Sequence, residues 1–310
     1  MIQSFKSLPQ LFAAFPTEQS AIDHLTAIRF GNGLFCALCG CADEGKVNRM
    51  SSAGILTNQY KCYACRGKFT VKVGTIFQDT KLPLRTWFAA IWMITNHPKG
   101  IASTTLATDL DITQKTAWFV LHRLRHAART DSFNAPLKGE VEVDETYIGG
   151  KEANKHVKDR KGGTQGGAGK TVVMGMVERD GEVRMGVVDD TRAATLQPII
   201  RENVERGSKV YTDEHAGYRG LGGRYTHRAV AHSKGEYVRK DTHTNTIESV
   251  WATVKRQYIG THHFISAKHL DAYLNEIAFR MNRREMDKGQ RHQALLSQIE
   301  GPMPWKVLTA

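Results

Sequence analysis

The chain has 310 residues, 43 Lys and Arg against 31 Asp and Glu for a net charge of +12, and 41% hydrophobic residues. That length supports two or more domains at ~100–200 residues each, and the apolar share excludes a disordered tail protein. The longest apolar run, Phe88 to Ile94, is far short of the ~18 residues that cross a bilayer, and no basic segment leads into an apolar stretch at the N-terminus. A soluble cytoplasmic protein with a polyanionic partner, nucleic acid first among them, is the expectation.

The excess charge is not a detachable tail. It amounts to +4 over residues 1–75, +3 over 76–135 and +5 over 136–310. Local concentrations run through Arg219, Arg224, Arg228, Lys234, Arg239 and Lys240, and through Arg280, Arg283, Arg284, Lys288 and Arg291. A partner that touches every part fits this spread better than one that grips a single basic arm.

Within the first segment, Cys36/Cys39 and Cys62/Cys65 form two Cys-x-x-Cys pairs with 22 residues between them. Each pair places two thiolates on one knuckle, and four such sulfurs at ~2.3 Å satisfy tetrahedral zinc. Two disulfides are the alternative, disfavoured in the reducing compartment of an unexported chain. Gly40 and Gly67 suit the knuckles as residues tolerant of positive φ, and Ser51-Ser52-Ala53-Gly54 reads as the turn of a ribbon hairpin. Cys41 is left over, as an unpaired thiol or a competing fourth ligand.

From Leu84 to Arg129 the pattern is helical. Trp87, Phe88, Ile91, Trp92 and Ile94 recur at helical spacing, Pro98-Lys99-Gly100 breaks the run, and a second helix follows from Ser103. After a short turn at Asp111-Ile112, Thr113 is a plausible N-cap for a third helix with Ala117, Val120, Leu121 and Leu124 inward. The pair resembles a helix-turn-helix, whose outer face would present Gln114, Lys115, Trp118, His122 and Arg125 to DNA.

At Glu140 the period changes to two. Glu142 and Asp144 share one strand face opposite Val141 and Val143, and Gly149-Gly150 ends the strand. A Gly- and Lys-rich basic loop fills Lys151 to Lys170. Thr171 to Val177 and Glu182 to Val188 then form a hairpin around Asp180-Gly181. Thr191 to Glu205 reads as a helix, Lys209 to Thr212 as a strand delivering Asp213, and His243 to Tyr258 as a helix carrying Asn245, Glu248, Trp251 and Lys255. Strand, hairpin, helix and strand in this order resemble an RNase H-like half-sheet, where an acid at a strand end is commonly functional. Three converging carboxylates hold two divalent ions ~3.5–4 Å apart for phosphodiester chemistry, and hard oxygen ligands favour Mg2+ or Mn2+.

The run Val143-Asp144-Glu145-Thr146-Tyr147-Ile148-Gly149-Gly150-Lys151, then Tyr211-Thr212-Asp213-Glu214-His215-Ala216-Gly217-Tyr218, then His243-Thr244-Asn245-Thr246-Ile247-Glu248 through Trp251 to Lys255-Arg256, resembles the ISXO2-like group of DDE-class insertion-sequence transposases. The resemblance covers nearly the whole chain. It implies an α/β architecture in three parts: a zinc ribbon in 1–75, a helical helix-turn-helix-like module in 76–135 and an RNase H-like catalytic domain in 136–310. It also implies binding to terminal inverted repeats, Mg2+-dependent strand cleavage, transfer of the freed 3′-hydroxyl into target DNA, and a homo-oligomer on DNA. Asp144, Asp213 and Glu248 match the metal-binding triad, and Lys255 the basic residue seven positions after the last acid. Asn245 is the alternative third ligand, since relatives use an acid or an asparagine there. Two other classes remain open: a zinc-ribbon, helix-turn-helix regulator that binds DNA without cutting it, and an RNase H-like nuclease acting on RNA hybrids or junctions.

Overall fold

The computed structural model describes residues 5–129, 135–150, 156, 158, 169–230, 238–239 and 242–309. Most of the basic loop expected at 151–170, together with Lys234 and Lys240, lies outside them. The chain divides into two compact units, residues 1–128 with 285–310, and residues 129–284.

In the first unit, helices α1 (Leu8–Ala14) and α2 (Glu18–Phe30) precede a three-stranded antiparallel ribbon, β1 (Val47–Ser52), β2 (Ile55–Cys62) and β3 (Lys68–Thr70). A reciprocal Thr17/Ser20 capping box starts α2. The β1–β2 turn falls at Ala53 and Gly54, both at positive φ, where the sequence places it. Helix α3 (Leu84–Asn96) buries every residue from Trp87 to Thr95, as a helix apolar all round must. Then come α4 (Ser103–Leu110), left-handed Asp111, and α5 (Gln114–Ala127), with the Thr113 hydroxyl accepting from Thr116 N–H as the predicted N-cap.

The last residues return to this unit. Helix α9 (Lys288–Leu296) packs on α3, and α10 (Trp305–Thr309) lies on α5, where Trp305 meets Trp118 at 5.8 Å and Phe119 at 5.2 Å between ring centroids. The third segment expected from the sequence runs to residue 310, whereas 285–310 group with the first unit. Local pattern carries no trace of such a long-range return.

His292 on α9 is fully buried, and its Nε2–H donates to the Phe88 carbonyl at 3.1 Å. Burial holds its pKa down to about 3. The ring is neutral when folded and takes up a proton on unfolding between that value and its ordinary ~6.5, so acid favours the unfolded chain. Stability is fully present above ~6.5 and falls as the pH drops, by roughly 2 kcal/mol at pH 5. Urea midpoints at pH 7 and pH 5 check this: the drop is expected to shrink in His292→Gln, and an unchanged drop refutes it.

The second unit is built on a five-stranded sheet of β4 (Glu140–Ile148), β5 (Thr171–Glu178), β6 (Val183–Val188), β7 (Lys209–Asp213) and β8 (Thr226–Val230). Its spatial order is β6-β5-β4-β7-β8; β4 to β6 are antiparallel neighbour to neighbour, and β7 and β8 run parallel to β4. The β5–β6 hairpin turns at left-handed Asp180, as predicted. Helix α6 (Ala193–Asn203) covers one face, packing Leu196 and Ile200 on Val141, Val143, Met174 and Val210. Helices α7 (Asn245–Gln257) and α8 (Ala267–Asn282) cover the other, with Ile247, Trp251, Leu274 and Ile277 on Val173, Val177 and Met185. Two short strands, Val238–Arg239 and Thr242–His243, pair ahead of α7. This strand order, with helices on both faces, is the RNase H-like arrangement.

Candidate active site

Strand β4 is central, so both its faces are covered, and the period-two alternation sends Val141 and Val143 to α6 while Glu142 and Asp144 face α7. In the parallel β4–β7 ladder Glu142 pairs with Tyr211. Continuing that register by two residues sets Asp144 beside Asp213, at the ends where the loops gather. Asp213 fixes its own loop by accepting from the His215 N–H at 2.9 Å.

Asp144 is held from above. Trp251 Nε1–H donates to its carboxylate at 2.9 Å. The residue opposite Asp144 on β5 is Gly175, and a Cβ there would lie 2.5 Å from the Trp251 ring, so glycine is what lets the indole lie on the sheet. Burial pushes the Asp144 pKa up to about 6; the Trp251 hydrogen bond opposes the rise, and the charges of Glu145 and Asp213 add to it. A carboxylate under such pressure is relieved by a cation, so this donor set suits a hard divalent ion.

Glu248 and Asn245 are exposed in the first turn of α7, where the Thr244 hydroxyl donates to Glu248 at 3.2 Å, and Lys255 is exposed two turns on. The structure thus brings Asp144 and Asp213 to one sheet end, with Glu248 on the helix docked above. Among the described residues, the oxygens of the three acids do not all come within 4.8 Å of one another.

Glu142 is a residue whose role the sequence does not reveal. Its carboxylate is wholly buried and accepts from Thr246 N–H at 2.9 Å, Ile247 N–H at 3.0 Å, the Thr246 hydroxyl at 3.0 Å and Arg179 Nε at 2.7 Å. It caps the N-terminus of α7 from β4, one strand repeat before Asp144. Arg179, from the hairpin turn, also bonds Glu140 and the His243 carbonyl and lies over the Tyr211 ring at 4.3 Å. The helix that carries Glu248 is thereby tied to the strand that carries Asp144. Glu142→Ala strips two buried amides and a hydroxyl of their acceptor and leaves Arg179 with Glu140 as its carboxylate partner, so it is expected to cost about 3 kcal/mol, with Glu142→Gln costing less. Urea unfolding reads the cost, and a loss below ~1 kcal/mol for the alanine variant contradicts it.

Glu145 points to the opposite face. It accepts from the Tyr218 hydroxyl, and His215 Nδ1 lies 3.6 Å away. Burial raises its pKa, as burial raises that of Tyr218 well above ordinary. The two glutamates flanking Asp144 are thus both engaged, Glu142 with α7 and Arg179 and Glu145 with Tyr218.

In the first unit, the Sγ atoms of Cys36, Cys39, Cys62 and Cys65 all lie within 4.8 Å of one another. Cys36–Cys65 and Cys39–Cys62 are each 3.8 Å apart, which equals the ~3.8 Å edge of a tetrahedron with ~2.3 Å arms. All five cysteines are free thiols, so the disulfide alternative is not realised. Gly40 takes the predicted positive φ, but at the second knuckle Arg66 does so instead of Gly67. A Cβ at Gly67 would lie 2.4 Å from the tip of the exposed Leu38 side chain, which would have to swing aside.

The predicted DNA-facing surface of α5 is corrected in part. Gln114 and Lys115 are exposed, and Trp118 is half-buried against Trp305. His122 and Arg125 are buried, each 1% exposed. The reason is the returning C-terminus: the Met303 carbonyl accepts from Arg123 Nε at 3.1 Å and α10 covers the helix, so only its first turn remains outward.

Two family profiles match the chain: "ISXO2-like transposase domain" over residues 136–282 and "Transposase zinc-ribbon domain" over 16–68. A protein of transposable element ISH50 from Halobacterium salinarum is 28% identical over 297 residues, 92% of this chain and 97% of that one. A transposase-like protein of Haemophilus influenzae is 34% identical over 101 residues, 32% of this chain and 80% of that one. Among solved structures, a pre-cleavage Mos1 transpososome aligns with 69% of this chain and 79% of its own at 12% identity, with a TM-score of 0.27.

Proposed function

Because the chain belongs to the ISXO2-like transposases, we propose that it binds the terminal inverted repeats of an insertion sequence, cleaves a strand at each end and joins the freed 3′-hydroxyl to target DNA. What supports this most is that the β4–β7 register runs toward Asp144 and Asp213, that the charge of Asp213 bears on buried Asp144, and that α7 carries Glu248 in its first turn.

In this reading Asp144, Asp213 and Glu248 hold Mg2+ or Mn2+. The ions would supply Lewis-acid activation of the attacking water or hydroxyl and charge stabilisation at the leaving oxygen. Trp251 orients Asp144 through its N–H, while burial raises the basicity of the carboxylate and leaves it in need of a positive counter-charge. Glu142 and Arg179 set the height of α7, and through it the placement of Glu248. Lys255, exposed two turns beyond, neutralises a neighbouring phosphate. Asn245 sits in the same first turn and is the alternative ligand.

End recognition falls to the ribbon, with zinc held structurally by its four cysteines, and to the first turn of α5. Gln114 and Lys115 stand there, where recognition helices read base edges, with Trp118 beside them. The segments 1–75, 76–135 and 136–310 then serve as ribbon, end-reading helices and catalytic part, the last 26 residues returning to support the helices. Acting on two ends at once calls for a homo-oligomer on DNA.

The test is an end-cleavage assay. Purified protein, a duplex carrying the terminal repeat that flanks the gene, and Mg2+ are expected to give a nick at the element boundary and then a strand-transfer product, both abolished by EDTA. Binding without any cut under Mg2+ or Mn2+ would favour a non-catalytic regulator, and cutting of RNA hybrids in preference to the end duplex would favour a nuclease.

A further inference from the structure

Helix α7 does not stop where its regular turns do. Asn245, Glu248, Ala252 and Lys255, spaced three and four apart, form one exposed stripe, and the chain then widens into a π-helical turn, Tyr258–His262. That turn carries Ile259, 67% exposed, and just past it stands Phe264, 71% exposed.

Single exposed apolar residues are ordinary. These two stand on a turn whose base is tied down by polar bonds. Beneath them Gln257, Glu276 and Arg280 are buried and mutually hydrogen-bonded, Gln257 Nε2 lies 3.2 Å from His262 Nε2, and the His262 ring packs edge-on to Tyr273 at 4.7 Å. His263 takes a left-handed φ of 59°, a conformation a non-glycine residue keeps only where its surroundings impose it. The segment is also basic: between Glu248 and Asp271 the sequence holds Lys255, Arg256, Lys268 and three histidines and no acid, and Glu276 beneath it is taken up by Arg280.

We infer that the turn 258–264 is a wedge that stacks Phe264, backed by Ile259, against an unpaired base of the DNA strand running along α7. The inference rests on the transposase reading for the choice of DNA. Apolar side chains inserted at a base step gain stacking, while flanking cations meet the phosphates. A second copy of this chain is the poorer occupant, since a two-fold contact there would set Lys255 and Arg256 against their own counterparts. From Glu248 to the π-turn the helix rises about 15 Å, or four to five stacked nucleotides. The disturbed base thus lies within about five nucleotides of the scissile phosphate.

The experiment places 2-aminopurine singly at each of the first six positions on either side of the element boundary in the end duplex. Fluorescence and affinity are read in the cleavage-deficient Asp144→Asn protein, so no chemistry is needed. A fluorescence rise at one position within five nucleotides of the boundary is expected, lost in Phe264→Ala with about ten-fold weaker binding. It is retained in Phe264→Trp, and the affinity of Phe264→Ala is restored by mispairing that base in advance. Equal melting temperatures show that the substitution spares the fold. Unchanged fluorescence and affinity in Phe264→Ala overturn the inference, as does an oligomer that dissociates on the same substitution with DNA binding intact. A parent that unstacks the base yet never cuts sinks only the catalytic reading; one that ignores the end duplex sinks both.

Discussion

Asp144→Asn and Asp213→Asn are each expected to lower end cleavage by at least about three orders of magnitude, with end binding changed by no more than a few fold. Several kcal/mol of charge stabilisation disappear with a metal site, and each 1.36 kcal/mol is a factor of ten. The fold should survive, because asparagine still accepts the Trp251 N–H at position 144 and the His215 N–H at position 213. At position 144 the sign of the stability change is itself informative. Burial and neighbouring charge raise the Asp144 pKa to about 6, so in metal-free protein the ionised carboxylate weighs against the folded state above that pH. The Asp144→Asn substitution removes this load, and the variant is expected to melt somewhat higher at pH 7 while failing to cut. Glu248→Gln should share the loss of cleavage, and Asn245→Ala should lose little; the reverse pattern would move the third ligand to Asn245. Normal cutting by both aspartate variants would show the site to be misassigned.

Loss of zinc should have the largest effect on folding. Four sulfurs already stand at tetrahedral spacing, while the apolar core around them is small, being Val47, Tyr60 and Phe69 with Cys36 and Cys62. Structural zinc contributes on the order of 10–16 kcal/mol in finger peptides, more than such a core supplies. Cys62→Ser is therefore expected to carry no zinc by atomic absorption, to lose hydrogen-exchange protection across residues 47–70, and to bind the end duplex at least about 100-fold more weakly. Amides of the sheet strands Glu140–Ile148 and Thr171–Glu178 should keep their protection. A zinc-free chain with a protected ribbon would refute the role of the metal.

Much of the second unit was legible in the sequence because its signals are local. Alternation in Glu140–Ile148, the Asp180-Gly181 turn and the strand ending at Asp213 each appear within a few residues, and the structure places all three as read. The Thr113 cap and the Cys-x-x-Cys knuckles are local in the same sense. The misread positions depend on partners far away in the chain. His122 and Arg125 lie at helical positions that look outward, and they are covered because Met303 and Trp305, about 180 residues later, close over α5. Glu142 shares Asp144's face by simple alternation, but its task becomes visible only when α7, a hundred residues on, brings two amides and a hydroxyl to it. The need for glycine at position 175 likewise follows only from Trp251, 76 residues later, lying over it.

The proposed function stands on Asp144, Asp213 and Glu248 forming one divalent-metal site. Crystals of the protein equilibrated with Mn2+ and measured by anomalous scattering show this site or its absence. Manganese bound by all three of these carboxylates is expected, with Glu142 still on the amides of Thr246 and Ile247. Manganese held elsewhere, or no peak between Asp144 and Asp213 at saturating Mn2+, would contradict it.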